Sequence, residues 1–94
     1  MSNGENVVLV GSKPVMNYVI ACLTLFNSGA NEVIVKARGR AIERAIDTVE
    51  MLRRSFITDL EIKDINIDTQ ELQRLGKRSS ISTMEIIFSK PKLE

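Results

Sequence analysis

Two β-branched runs with an apolar helix between them constrain this chain most. Asn6–Val10 (NVVLV) leads through Gly11-Ser12-Lys13-Pro14 into an uncharged segment of helical length, and Glu32–Ala37 (EVIVKA) follows. An apolar run without alternation fits a strand covered on both faces or flanked by crossovers. A strand, a helix and a second strand in this span form a βαβ unit, with parallel strands and a right-handed crossover. The chain has 94 residues, enough for one core and not for two.

The first helix is expected from Pro14 to Asn27. Pro14 suits the first helical position, Ser12 or Lys13 the cap, and Gly29 the C′ position. Val15, Val19, Cys22, Leu23 and Phe26 share one face, flanked by Met16, Tyr18, Ile20 and Leu25. Asn17, Ala21, Thr24 and Ser28 fall on a narrow line of small, uncharged residues where a surface helix carries a wide charged face. Two readings stand: a helix buried within the chain, or a stripe that meets another protein surface.

After the turn Arg38-Gly39-Arg40, a second helix runs from about Ala41 to Phe56. Ile42, Ala45, Ile46, Val49, Leu52 and Phe56 recur at helical spacing as its core face, and Met51 lies opposite. Leu60–Asp68 alternates with a slip of parity that a β-bulge near Lys63-Asp64 reconciles. Thr83–Ser89 alternates through Met84, Ile86 and Phe88, and Thr69–Ser82 is a polar connection. The fold class is therefore α/β (α+β). It is a βαβαββ two-layer sandwich with a mixed four-stranded sheet, two helices and a long C-terminal hairpin, expected as a single domain over residues 1–94 with flexible ends at 1–5 and 90–94.

Catalysis finds little support. There is no His, and one Cys cannot form an internal disulfide or a Cys-based metal site. Cys22, mid-helix beside Ala21 and Leu23, reads as a small buried hydrophobe. No cofactor or metal is expected. The longest uncharged run, Pro14–Ala30, is 17 residues and contains Asn17, Thr24, Asn27, Ser28 and Gly29, too short and polar for a membrane span. Without a signal peptide, a soluble cytoplasmic protein is expected.

Lys plus Arg is 13, Asp plus Glu is 12, and the net charge is +1. Taken alone this argues against a nucleic-acid binder. The charges are segregated, however. Ser12-Lys13 precedes a helix N-terminus, where free N–H groups and the dipole favour phosphate. Lys36, Arg38 and Arg40 lie at a strand end and the next turn. Arg74, Lys77 and Arg78 lie in the hairpin connection, with no acid from Leu72 to Met84. In a parallel βαβ unit the turns after both strands share one sheet end, so Lys13 approaches Arg38 and Arg40. The cluster reads as a phosphate clamp or as a solvated loop edge.

VVLVGSKPVMNYV (Val7–Val19), EVIVKARGRAI (Glu32–Ile42), AIDTVEMLRRSF (Ala45–Phe56) and STMEI (Ser82–Ile86) closely resemble the Alba family of small archaeal chromatin proteins. The resemblance spans nearly the whole chain. It implies a non-enzymatic homodimer associated with the nucleoid. Such a dimer coats and compacts double-stranded DNA largely without sequence preference, and it also binds RNA. Lys13, Lys36, Arg38 and Arg40 would be body contacts, and Arg74, Lys77 and Arg78 hairpin contacts along the minor groove. Phe56 matches an aromatic position used when dimers pack side by side, with Met51 as a neighbouring candidate; Phe56 as plain core is the other reading. A paralogous partner chain and a modifying acetylase or deacetylase are further partners the resemblance suggests. One departure stands out. Family members commonly carry two adjacent lysines in the first loop, the first an acetylation site; here Ser12 takes that position and Lys13 alone remains. The rival functions are an RNA-binding subunit of a ribonucleoprotein, and a protein-interaction or small-ligand domain.

Overall fold

The computed structural model describes residues 6–91; the expected flexible segment 1–5 lies outside them, as does 92–94 of the expected C-terminal one. The elements run β1 (Val7–Leu9), α1 (Val15–Asn27), β2 (Glu32–Arg38), α2 (Ala41–Ser55), β3 (Glu61–Arg74) and β4 (Lys77–Ser89). The sheet order is β1-β2-β4-β3. β1 and β2 are parallel, as the βαβ reading requires, and the other neighbours are antiparallel.

Alternation along β2 sets the layers. Val33, Val35 and Ala37 are buried against the helices, while Glu32, Lys36 and Arg38 are exposed on the other face. From β4, Ile86 and Phe88 join the inner face, opposite Val35 and Val33. From α1 come Tyr18, Val19, Cys22 and Phe26, and from α2 Ala45, Val49 and Leu52. Phe26 and Phe88 meet with ring centroids 6.0 Å apart, tilted at 59°, a favourable aromatic geometry.

Several expectations are corrected. Of the two readings of the first apolar run, coverage on both faces fails and the flanking crossover holds: β1 is an edge strand joined through α1 to the parallel β2, with Val8 buried but Leu9 71% exposed. Two helices cover one side of the sheet, so even an unalternated apolar run has a wet face. The cap of α1 is Pro14, not Ser12 or Lys13, and it makes no side-chain bond. Gly29, with φ 105°, ends α1 as expected. The small-residue stripe is not buried in the chain: Asn17, Thr24 and Ser28 are exposed. The Thr24 and Ser28 hydroxyls bond the carbonyls of Ile20 and Thr24 in their own helix. On α2 the core stripe is rotated, so that Ile46 and Phe56 are 42% and 46% exposed. Thr48 is fully buried in their stead, and its hydroxyl is satisfied by the Arg44 carbonyl at 2.8 Å.

The bulge falls where the parity slip predicts it, between Ile62 and Asp64. It keeps Ile62 opposite Phe88 and Ile65 opposite Ile86, all on the inner face. The polar connection Thr69–Ser82 is not a loop. Both strands continue to Arg74↔Lys77, joined by Leu75-Gly76 alone. β4 leaves β2 at Thr83, so Thr69–Arg74 and Lys77–Ser82 form a free two-stranded ribbon about 20 Å long. This arm makes the molecule 55 Å long and raises its radius of gyration to 14.6 Å, against about 12 Å for a compact chain of this size.

Candidate nucleic-acid interface

The basic residues come from three places, and the register shows which of them share a side. On β2, Lys36 and Arg38 point away from the helices. Lys36 pairs with Glu85 and Arg38 with Thr83. Counting along β4 by twos from Thr83 reaches Ile81, Ser79 and Lys77 on that same side; Arg74, opposite Lys77, joins them. Arg78 alternates to the other side. Lys36, Arg38, Arg74 and Lys77 therefore line one helix-free side of the ladder, from the body to the ribbon tip. Between Leu9, Val10, Lys36, Ala37, Arg38 and Thr83 lies a hollow of about 400 Å³.

Lys13 and Ser12 are exposed in the loop between β1 and α1, and Arg40 is exposed at the start of α2. The first turn of α1 carries no acid, so the positive end of its dipole is not offset locally. Among the described residues, none of Lys13, Lys36, Arg38, Arg40, Arg74, Lys77 and Arg78 is held in an ion pair; those present join Glu50 to Arg53 and Arg54, and Glu61 to Lys63. The basic side is not free of acid, however. Glu85 faces Lys36 across the strands, where the Asn66 amide donates to it at 3.4 Å.

The loop itself is held by two residues whose roles sequence reasoning missed. The Tyr18 hydroxyl oxygen accepts the Gly11 and Lys13 N–H groups, each at 3.0 Å. Arg44 donates from Nη1 to the Gly11 carbonyl at 2.8 Å. These bonds turn the Gly11 and Lys13 amides of the loop inward to Tyr18. The loop offers the Lys13 side chain on a fixed backbone instead. Tyr18 reads as apolar flank by spacing, and only its fold-back across four residues reveals the hydroxyl's task. Arg44 is adjacent to the buried Ala45 and one turn before Thr48, which is the signal that it borders the core.

The Arg38-Gly39-Arg40 turn is fixed in a similar way. Gly39 has φ 58°, a left-handed conformation, and its N–H donates to the Ser82 carbonyl at 2.8 Å. A Cβ at that position would lie 3.0 Å from Ile81 Cδ1. The glycine therefore lets the turn sit against the root of the ribbon, so the body and arm cations share one rigid junction.

The Cys22 thiol is not prepared for nucleophilic chemistry. Burial pushes the Cys22 thiol up to about 12, which keeps it protonated and inert near neutrality. Among the described residues no cluster of three or more His, Cys, Asp or Glu could hold a metal ion. None of their helices is long and apolar enough to cross a membrane.

Fold and charge together define a class: a small α+β scaffold whose helix-free face and projecting ribbon carry cations held in no ion pair among the described residues, suited to an extended polyanion. Residues 6–69 match the model of the Alba family. The chain is 53% identical over 89 residues to the DNA/RNA-binding protein Alba of Methanocella arvoryzae, covering 94% of this chain and 93% of that protein. It is 54% identical over 86 residues to DNA/RNA-binding protein Alba 1 of Archaeoglobus fulgidus, covering 92% and 97%. The solved structure of Alba from Thermoplasma volcanium superposes with a TM-score of 0.83 at 45% identity, covering 89% of this chain and 99% of that one. The chain belongs to the Alba family.

Proposed function

We propose that this chain is a non-enzymatic, architectural DNA- and RNA-binding protein of the nucleoid that works as a homodimer. It coats duplexes by neutralising phosphates, without reading base sequence. The observation that carries this is the line of Lys36, Arg38, Arg74 and Lys77 on one side of a ladder that runs from the body to the ribbon tip. Lys13 and Arg40 flank it on the body, and Arg78 adds charge on the ribbon's other side. Relatives at 50% to 54% identity carry the name DNA/RNA-binding protein, which supports both polymers as partners.

An uncovered apolar strip supports the dimer. Ile62, Ile65 and Ile67 lie opposite Phe88, Ile86 and Met84 on the inner face, so the core continues sideways onto β3. Neither described helix covers them, and they remain 38%, 49% and 72% exposed. Completing their burial against a second copy would contribute about 2–5 kcal/mol per protomer. Phe56 and Met51, 46% and 37% exposed, remain available for contacts between neighbouring dimers.

A salt-titrated binding isotherm tests the reading. If each protomer makes about four to six phosphate contacts, log affinity for a duplex should fall by roughly 0.9 per contact for each log unit of salt. Two duplexes of unrelated sequence should give superimposable curves. A slope near zero, or a preference for one sequence, would overturn the mechanism. Competition between duplex DNA and structured RNA at matched salt then decides whether the chain serves chiefly as a ribonucleoprotein subunit.

A further inference from the structure

The ribbon ends in a residue that neither the fold nor charge neutralisation explains. Leu75 and Gly76, the two residues joining β3 to β4, have φ 52° and 76°. Positive φ at both central positions is the type I′ signature, which favours Asn-Gly or Asp-Gly. Leucine lacks the short polar side chain that eases this conformation and is strained there. Leu75 is the one described non-glycine residue at positive φ, and it is 95% exposed. It therefore gains nothing from packing in exchange for the strain. Its neighbours Arg74, Lys77 and Arg78 are all cations, so the tip is an apolar point ringed by positive charge.

We propose that Leu75 is a wedge that inserts between neighbouring base pairs of a bound duplex, held in place by the phosphate contacts of the three cations around it. This rests on the nucleic-acid-binding function proposed above. Duplex-bending proteins insert leucine or similar apolar side chains at base steps, exchanging stacking for a bend that brings more protein surface to the backbone. The geometry suits this role. A ribbon projecting about 20 Å beyond the body places its tip far from the β2 cations. The tight two-residue turn leaves the leucine as the leading side chain. Insertion at any step needs no hydrogen-bond readout, so it is compatible with binding that ignores sequence.

The test uses Leu75→Asn, which relieves the strain and keeps every cation. Affinities are measured for an intact duplex and for one with a central unpaired mismatch, whose stacking is already weakened. The full-length wild-type protein should prefer the mismatched duplex by about three- to tenfold, because part of the unstacking cost is already met. Leu75→Asn should bind both duplexes equally, with an unchanged salt slope. Thermal melting should show it at least as stable as wild type. Steep, salt-dependent binding with no mismatch preference in the wild type would overturn the wedge while leaving the phosphate-binding function standing. Absence of duplex binding altogether would overturn that function, and the wedge with it. Retention of the preference in Leu75→Asn would also overturn the wedge. So would Leu75-dependent binding to anionic phospholipid vesicles with no effect on duplexes, which would assign the tip to a lipid surface.

Discussion

Tyr18→Phe removes one oxygen and keeps the ring, so it isolates the bond that holds the first basic loop. That oxygen accepts the Gly11 and Lys13 amides, each at 3.0 Å, and the side chain is only 9% exposed. A net hydrogen bond contributes about 0.5–1.5 kcal/mol, and an orphaned buried donor costs about 1–3 kcal/mol. These amides are partly buried, so water replaces some of the loss, and a total near 2 kcal/mol is expected. For a chain of this size that lowers Tm by roughly 8–15 °C. The measurement is thermal unfolding at matched protein concentration, since the Tm of the proposed dimer would depend on concentration. Lys13 keeps its charge but loses its fixed backbone. Re-ordering the loop on binding should cost about 1 kcal/mol, or roughly fivefold in affinity, with no change of salt slope. A Tm within about 1 °C of wild type would refute the assignment of the loop's rigidity to Tyr18.

Other consequences are as direct. Gly39→Ala places a Cβ 3.0 Å from Ile81 Cδ1 at φ 58°, so about 1–2 kcal/mol of stability should be lost; urea unfolding reads it, and an unchanged midpoint would contradict the strained junction. Ile67→Lys alters a residue that is 72% exposed in one chain, so far-UV circular dichroism should be retained while light scattering shows monomers; an intact dimer would rule out the β3 interface. Arg38→Ala should weaken binding to all duplexes alike and reduce the salt slope by about 0.9 for each phosphate that the guanidinium neutralises. Burial raises the Cys22 thiol to about 12 from an ordinary 9.0, so the stability linked to the protonated thiol is complete below pH 9.0 and is lost as pH rises toward 12. Wild type should therefore lose about 1.4 kcal/mol per pH unit more than Cys22→Ala across that window, and parallel stability profiles would refute it.

Legibility in the sequence followed physical visibility. The element order, the Gly29 stop and the bulge at Lys63-Asp64 leave marks in hydrophobic spacing, because each changes which residues meet the core. The ribbon leaves no such mark. Both sides of Thr69–Arg74 and Lys77–Ser82 meet solvent, apart from Ile81, so alternation disappears and the strands look like a polar loop. The rotation of the α2 stripe was hidden for a related reason. Ile46 reads as core by type and spacing, whereas Thr48 becomes core only because the Arg44 carbonyl satisfies its hydroxyl. Tyr18 and Arg44 act through tertiary contacts to one short loop, which no local pattern encodes.

The net charge of +1 is a poor guide because the fold sorts charge by side and by distance. β2 alternation sends Lys36 and Arg38 outward and away from α2, where Glu50 is occupied by Arg53 and Arg54. The ribbon carries Arg74, Lys77 and Arg78 about 20 Å farther, roughly two Debye lengths at physiological salt. At that separation the acids of the body barely offset the arm, whose three cations outnumber its one acid, Glu71. Asp68, opposite Thr83, also lies on the basic side, and Glu85 sits there opposite Lys36. It repels a phosphate approaching that lysine, so Glu85→Gln should strengthen duplex binding at low salt, and the gain should shrink as screening increases. An equal gain at all salt concentrations would mean that Glu85 acts through its bond to Asn66, not through its charge.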